Sequence, residues 1–300
     1  YRSELEQKGC RFKSQSDSEV ILHGYRVDGV DVVDKLRGMF AFSIFDKSEQ
    51  VLMLVRDRQG IKPLYYFIDD NYLIFASELQ SIIKSGLVPT QLNPISLNQY
   101  VVYGVVPEPE TLIQGIKVLL PGQRLLMNKG QIRLERYWQY PEPSNNIFST
   151  ETASLEVRQL LEESIRVHLQ TDVPLGVFLS GGIDSTIVAK LSAKYSSNAI
   201  KTFSIGFEDG PEHLDERNIA RRTAKLLKTD HQEVVLTAKD IKNNLEKIIS
   251  SMNQPSFDGI NSYFISKVTR DAGIKVALSG LGGDELFGGY ETYNFLPTWG

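Results

Sequence analysis

Residues 178–186 read Phe-Leu-Ser-Gly-Gly-Ile-Asp-Ser-Thr. Two glycines stand between a hydroxyl and a carboxylate, after an apolar run and before a run with helical spacing. Glycine places no Cβ in the way of a close approach, so such a loop can wrap its backbone around a neighbour. If Ser185 begins a helix, the free N–H groups and the positive end of the helix dipole make an anion site. The chemistry would be binding of a di- or triphosphate, with Asp184 beside it suited to the Mg²⁺ that a polyphosphate carries. A tight strand-to-helix turn with no ligand reads equally well from the loop alone. The loop is not a Walker A motif, because the Gly-Lys-Ser/Thr ending is absent. It is not a dinucleotide fingerprint either, because the G-x-G-x-x-G spacing is missing.

Residues 277–290, Ala-Leu-Ser-Gly-Leu-Gly-Gly-Asp-Glu-Leu-Phe-Gly-Gly-Tyr, repeat the logic. A strand-like run leads to Ser279-Gly280, then to Gly282-Gly283 and Asp284-Glu285. The two carboxylates are candidate site acids, and they also read as the cap and first-turn charge of a following helix. Ile205, in the run Ser-Ile-Gly-Phe, closes a third strand-like segment. In an open α/β sheet, ligands bind beyond the carboxyl ends of the strands, so all three segments can converge on one crevice.

The elements needed to position them are legible. From residue 154 onward, helical and strand periods alternate. Strands are expected at 173–180, 201–207, 233–236 and 274–279. Helices are expected at 154–169, 185–197, 215–228, 240–252 and 261–272, the last closed by Gly273. Such alternation implies a parallel sheet with right-handed crossovers and helices on its faces. Inward positions would be Val157, Leu160, Leu161, Ile165 and Leu169 on the first helix, then Ile187, Val188, Leu191 and Tyr195 on the second. The third and fourth would turn Ile219, Ala220, Thr223 and Leu227, and Ile241, Leu245, Ile248 and Met252, toward the core.

Residues 1–140 read differently, as α+β. A helix is expected from Tyr1, and another is opened by Asp17 or Ser18. Strand-like runs follow at 39–46, 51–57, 64–67 and 72–77, with a hairpin at 124–134 turning at Asn-Lys-Gly. Their alternation and aromatic content favour antiparallel pairing. A Pro, Ser and Asn-rich stretch marks residues 141–153 as a linker.

The 300 residues suffice for two domains of about 150 each. A net charge of −4 gives no electrostatic case for nucleic acid or an anionic membrane. No run approaches the roughly 20 apolar residues of a spanning helix. The single cysteine, Cys10, cannot form a disulfide within the chain, which fits a reducing, cytoplasmic compartment. Its context suggests a small, half-buried residue. His23, His168, His213 and His231 show no zinc-ligand spacing.

The loop Ser-Gly-Gly-Ile-Asp-Ser resembles the PP-loop of the ATP pyrophosphatases. The segments SDSEVIL, GMFAFSIFD, RDRQGIKPLYY, FASEL, LPGQ, DVPLGVFLSGGIDS, FSIGF and LSGLGGDELFGGY occur in this order in glutamine-hydrolysing asparagine synthetases. The resemblance covers essentially the whole chain. It implies an α+β sandwich of the N-terminal-nucleophile type over residues 1–140, followed by a doubly wound parallel-sheet PP-loop domain over 154–300. Both are expected to be incomplete, in a fragment cut at both ends.

The resemblance assigns Asp17 to the glutamine amino group, a carboxylate facing an ammonium. It assigns Leu179, Ser180, Gly181, Gly182, Asp184, Ser185, Ile205, Ser279 and Gly280 to ATP, with Asp184 toward Mg²⁺. The implied activity is ATP-dependent amide synthesis through an acyl-AMP, with glutamine and aspartate, or another small carboxylic acid, as substrates. Neither nucleic acid nor membrane is an expected partner, and a homodimer is among the assemblies open to the chain. Arg56, Arg58 and Lys62 are expected at a structural contact between the domains, and Tyr137 and Trp138 in interdomain packing.

Two departures stand out. The family's nucleophilic cysteine is the first residue of its mature chain, whereas Tyr1 stands first here and Cys10 lies in another context. The family also reads Ser-Gly-Glu-Gly where this chain reads Ser279-Gly280-Leu281-Gly282. A leucine can neither take a proton nor orient an ammonium. A relative acting on a different acid, or a nucleotide-binding relative without turnover, therefore stands beside asparagine synthesis.

Overall fold

Aromatic and β-branched runs in the first half pair as antiparallel strands. The computed structural model describes residues 1–142, 148–208, 216–256, 258–290 and 292–293. It divides into two units, Tyr1–Ser144 with Asn253–Ser256, and Asn145–Met252 with Phe257–Gly300.

The first unit runs α1 (Arg2–Gln7), α2 (Asp17–Asp28), α3 (Val32–Lys35), β1 (Ala41–Asp46), β2 (Val51–Arg56), β3 (Tyr65–Ile68) and β4 (Leu73–Ala76). It continues through α4 (Leu79–Lys84), α5 (Pro94–Tyr103), β5 (Ile116–Val118), β6 (Gln123–Asn128) and β7 (Gln131–Arg136). The strands form two antiparallel sheets, ordered β1-β2-β6-β7 and β4-β3-β5. Alternation along each strand then sorts the side chains. Leu54 and Leu125 of the first sheet meet Tyr66 of the second, with Leu64 and Leu119, in one buried cluster between the sheets. On the outer face of the first sheet, Met53, Val55 and Leu126 pack on Val32 and Val33 of α3. On the outer face of the second, Tyr65, Phe67, Ile116 and Val118 pack on Leu79 and Ile82 of α4. Helix, sheet, sheet and helix are thus layered around three apolar seams.

Several local details differ from the sequence reading. Helix α2 is capped by Ser16, whose hydroxyl accepts the Ser18 N–H, not by Asp17 or Ser18. The β6–β7 turn is Lys129-Gly130, with φ of 48° and 80°, the left-handed pair that a two-residue hairpin needs. Arg56 is buried within this unit. Its guanidinium donates to the carbonyls of Gly60, Lys62 and Leu119 and to the Glu108 carboxylate. Tyr137 also belongs to this unit, donating to the Arg56 carbonyl and packing beside Val55. Asn253 and Gln254 complete it. Asn253 Oδ1 accepts the Leu79 N–H at the start of α4, and Gln254 Oε1 accepts the Leu112 N–H.

The second unit runs α6 (Thr150–His168), β8 (Leu175–Phe178), α7 (Ile183–Tyr195), β9 (Lys201–Phe207), α8 (Arg217–Leu227), β10 (Asp230–Leu236), α9 (Ala238–Ser251), α10 (Gly259–Asp271), β11 (Val276–Leu278) and α11 (Gly283–Phe287). Four strands pair in parallel in the order β10-β9-β8-β11. Val177 and Leu179 pack with Ala189 of α7 and Ala220 and Ala224 of α8. Leu236 packs with Ile248 of α9 and Phe264 of α10, forming a separate cluster with Ile205 and Val234.

Helix α6 begins at Thr150 behind the cap Ser149, inside the stretch expected as linker; residues 143–147 of that stretch lie outside the described residues. The inward faces are narrower than periodicity suggested. Leu160, Ile219 and Leu245 are 62%, 53% and 45% exposed; Ala220 is wholly buried as expected, and Ala189 and Ala224, not expected inward, are almost wholly buried too. Small side chains let helices lie close to a parallel sheet, and a hydrophobicity pattern does not weight them.

Candidate functional site

Chain order and sheet order reverse once in the second unit. From β8 the chain moves outward to β9 and β10, then returns across the sheet to place β11 on the other side of β8. The gap between the carboxyl ends of β8 and β11 is therefore the topological switch point, where α/β sheets bind ligands. Ser180-Gly181-Gly182 follows β8 and Ser279-Gly280 follows β11, so the two glycine motifs flank this gap.

The first loop is fixed by its own side chains. Ser185, only 7% exposed, accepts the Ser180 N–H at 3.2 Å and stands 2.8 Å from the Ser180 hydroxyl. The Ser180 hydroxyl in turn accepts the Gly182 N–H at 3.2 Å. Helix α7 begins at Ile183, two residues before the expected start, so Asp184 and Ser185 sit in its first turn. Its N-cap is Gly182, which supplies no side-chain acceptor. The first-turn N–H groups of a 13-residue helix are left without a side-chain cap at the switch point.

The glycines have specific neighbours. A Cβ on Gly280 would stand 2.7 Å from the Ser185 backbone nitrogen, and one on Gly283 2.2 Å from Asp184 Oδ2. The second motif is glycine-rich because the start of α7 lies against it. The two loops, about 100 residues apart in sequence, thus form one surface.

Asp184 carries the unusual electrostatics. Desolvation first, then the charges of Asp284 and Glu285, raise its pKa above the ordinary aspartate value, while the Asp284 N–H opposes the shift. Glu285 is a local cap as well: its carboxylate accepts the Gly282 N–H and the Tyr290 hydroxyl. Its own backbone N–H first, then the Tyr290 hydroxyl and the Gly282 N–H, lower its pKa. Among the described residues no group of three or more His, Cys, Asp or Glu side chains could hold a metal ion. Asp184 could supply a single carboxylate to a Mg²⁺ whose remaining ligands come from a polyphosphate and water. Leu179 is buried beside β9, its N–H on the Phe203 carbonyl, and Ile205 sits within β9. Leu281 is 86% exposed.

In the first unit, Asp17 opens α2 and lines a cleft of about 400 Å³ with Tyr1, Arg2, Gln15, Val20, Lys35, Leu36 and Arg37. Cys10 is half-buried and free.

Residues 1–138 match the glutamine amidotransferase domain family, and residues 156–299 match the asparagine synthase family. The chain carries both domains in that order, a glutamine amidotransferase domain and then an asparagine synthase domain. It is 38% identical over 297 residues to asparagine synthetase [glutamine-hydrolyzing] 1 of Bacillus subtilis, covering 97% of this chain and 46% of that one. It is 33% identical to the putative asparagine synthetase [glutamine-hydrolyzing] 2 of Methanocaldococcus jannaschii, covering 97% of this chain and 57% of the relative. It is also 31% identical to the amidase chyE of Penicillium rubens, covering 98% and 46%. The chain therefore spans about half the length of the curated relatives it matches. Among the described residues no helix is long and apolar enough to cross a membrane.

Two contributors were missed in the sequence. Glu216 reaches the loop, its carboxylate accepting the Gly181 N–H at 3.0 Å. Asn253 caps α4 from 174 residues away. Neither is signalled locally, because each acts on a distant segment.

Proposed function

We propose that this chain carries the nucleotide-binding and glutamine-binding parts of an ATP-dependent amide ligase. The observation that carries the reading is the uncapped first turn of α7 at the switch point, walled by the β11 motif. The facing antiparallel sheets of the first unit support the N-terminal-nucleophile reading of the amidotransferase part. In that part, Asp17 would hold the glutamine ammonium in its cleft.

The reaction consistent with the site is acyl-adenylation. A carboxylate oxygen of the acceptor attacks the α-phosphorus of ATP, and the α–β bridging bond breaks to release pyrophosphate. Ammonia then attacks the acyl carbon, the bond to AMP breaks, and a proton is lost. Negative charge builds on the departing pyrophosphate in the first step. The N–H groups of the α7 first turn would face that charge, and preorganised donors of this kind supply a large share of transition-state stabilisation. Ser185 and Ser180 hold the loop backbone in place through their hydroxyls. Asp184 would hold Mg²⁺, which would share the phosphate charge when bound. Leu179, Ile205, Ser279 and Gly280 would flank the adenosine. A cytoplasmic setting fits the single free cysteine.

Aspartate is the acceptor in the first reading, giving asparagine. Leu281 favours a second, in which another small carboxylic acid is amidated. Its exposed leucine cannot pair with a substrate ammonium. The experiment is an acceptor screen on the complete gene product with ATP, Mg²⁺ and ammonia, following AMP and pyrophosphate. Aspartate-dependent AMP, pyrophosphate and asparagine support the first reading. Turnover with another acid alone supports the second, and nucleotide binding with no turnover on any acid points to a non-catalytic relative.

A further inference from the structure

Glu216 immediately precedes α8. Its carboxylate accepts the Gly181 N–H at 3.0 Å. Its stem lies across the same glycine, where an added Cβ would meet Glu216 Cβ at 2.9 Å and Cγ at 3.3 Å. The next residue, Arg217, covers Gly206 at the end of β9, where an added Cβ would fall 2.2 Å from Arg217 Cδ. The start of α8 is thus seated on the segments ending both β8 and β9. Three successive loop N–H groups are already occupied: Ser180 by the Ser185 hydroxyl, Gly181 by Glu216, and Gly182 by the Ser180 hydroxyl. Two of these acceptors are neutral, and Glu216 is the charged one.

We propose that Glu216 is a specificity-determining residue of this loop, a resident carboxylate that an incoming polyphosphate must displace from the Gly181 N–H. The inference rests on the reading of the loop as a polyphosphate site. A carboxylate and a phosphate oxygen compete for the same donor, and two negative charges near one N–H repel. A simple phosphate gains too few donors to evict Glu216. A polyphosphate that also engages the α7 first turn, and arrives with its charge partly neutralised by Mg²⁺, gains enough. Glu216 therefore selects against small free anions and makes tight binding depend on a divalent cation.

The test is calorimetric titration of pyrophosphate and inorganic phosphate into the 300-residue chain and into Glu216→Gln and Glu216→Ala, with and without Mg²⁺. Glutamine keeps an oxygen acceptor but loses the charge. Glu216 is exposed, and circular dichroism checks that both variants fold. Both variants are expected to bind Mg²⁺-free pyrophosphate about threefold to tenfold more tightly, the range of one partly screened charge contact. The difference should shrink when Mg²⁺ is added. Unchanged or weaker binding in the variants, with the parent chain binding pyrophosphate, overturns the role of Glu216 and leaves the site reading standing. No pyrophosphate binding by any of the three proteins overturns the site reading and this proposal together.

Discussion

Gly283 has no side chain because Asp184 is there: a Cβ at Gly283 would lie 2.2 Å from Asp184 Oδ2 and 2.3 Å from its Cγ. The β11 motif and the α7 first turn are therefore one assembly. Gly283→Ala should push the Asp184 carboxylate aside and weaken ATP binding about tenfold, the scale of losing one charge-assisted contact. Because the obstacle is a side-chain end, the thermal midpoint should move little. Parallel calorimetry and thermal melts on the variant check both halves of this expectation.

Asp184→Asn keeps the shape and removes the charge. Mg²⁺-dependent polyphosphate binding should fall by an order of magnitude or more, while any Mg²⁺-independent binding should rise or hold. The raised pKa adds a pH signature. A carboxylate titrating above the ordinary aspartate value protonates earlier as pH falls, so Mg²⁺ affinity should decline from a higher pH than a normal aspartate would give. The Asn variant should lack that decline.

The positions of both motifs were legible from strand endings, glycine pairs and carboxylates. So were the parallel sheet and the antiparallel strands of the first unit, because period 2 and period 3.6 write themselves into apolar spacing. The reason for the glycines was less legible. Sequence suggests an anion beside Gly280 and Gly283, whereas the nearest neighbours are Ser185 and Asp184. Glu216 and Asn253 were invisible because a contact set by tertiary packing leaves no local pattern. Helices α4 and α5 and strand β5 were not anticipated. For α5, the pair Asn93-Pro94 was an available signal, since Asn93 caps the helix and Pro94 opens it.

Ser185 is a structural hub with a hydroxyl on Ser180 N–H and on the Ser180 hydroxyl. Ser185→Ala should destabilise the second unit by about 1–2 kcal/mol, the cost of leaving buried partners unpaired. Chemical denaturation checks the magnitude. Ser185→Thr is the informative companion, because it restores the hydroxyl.

His231 lies between the hydroxyls of Thr202 and Ser204, at 2.9 Å and 3.3 Å from its ring nitrogens. Burial lowers its pKa below the usual 6.5. A histidine depressed in the folded state takes up its proton more readily when unfolded, so stability is full above pH 6.5 and is lost as pH falls toward the folded pKa. His231→Gln should flatten that part of the profile, as read from denaturation midpoints at a series of pH values.

Leu281 is exposed, so Leu281→Glu should change stability by no more than about 0.5 kcal/mol. If the acceptor pocket lies beside it, the variant should gain aspartate-dependent pyrophosphate release relative to the parent. An unchanged acceptor profile would place acceptor choice elsewhere.

The most direct measurement follows the backbone amides of the ¹⁵N-labelled chain during titration with ATP and Mg²⁺. The account predicts saturable shifts at Gly181, Gly182, Ile183, Asp184 and Ser185, with matching shifts at Gly280 and Gly283 across the switch point. Saturable binding that leaves these amides unmoved, or no binding at all, would contradict it.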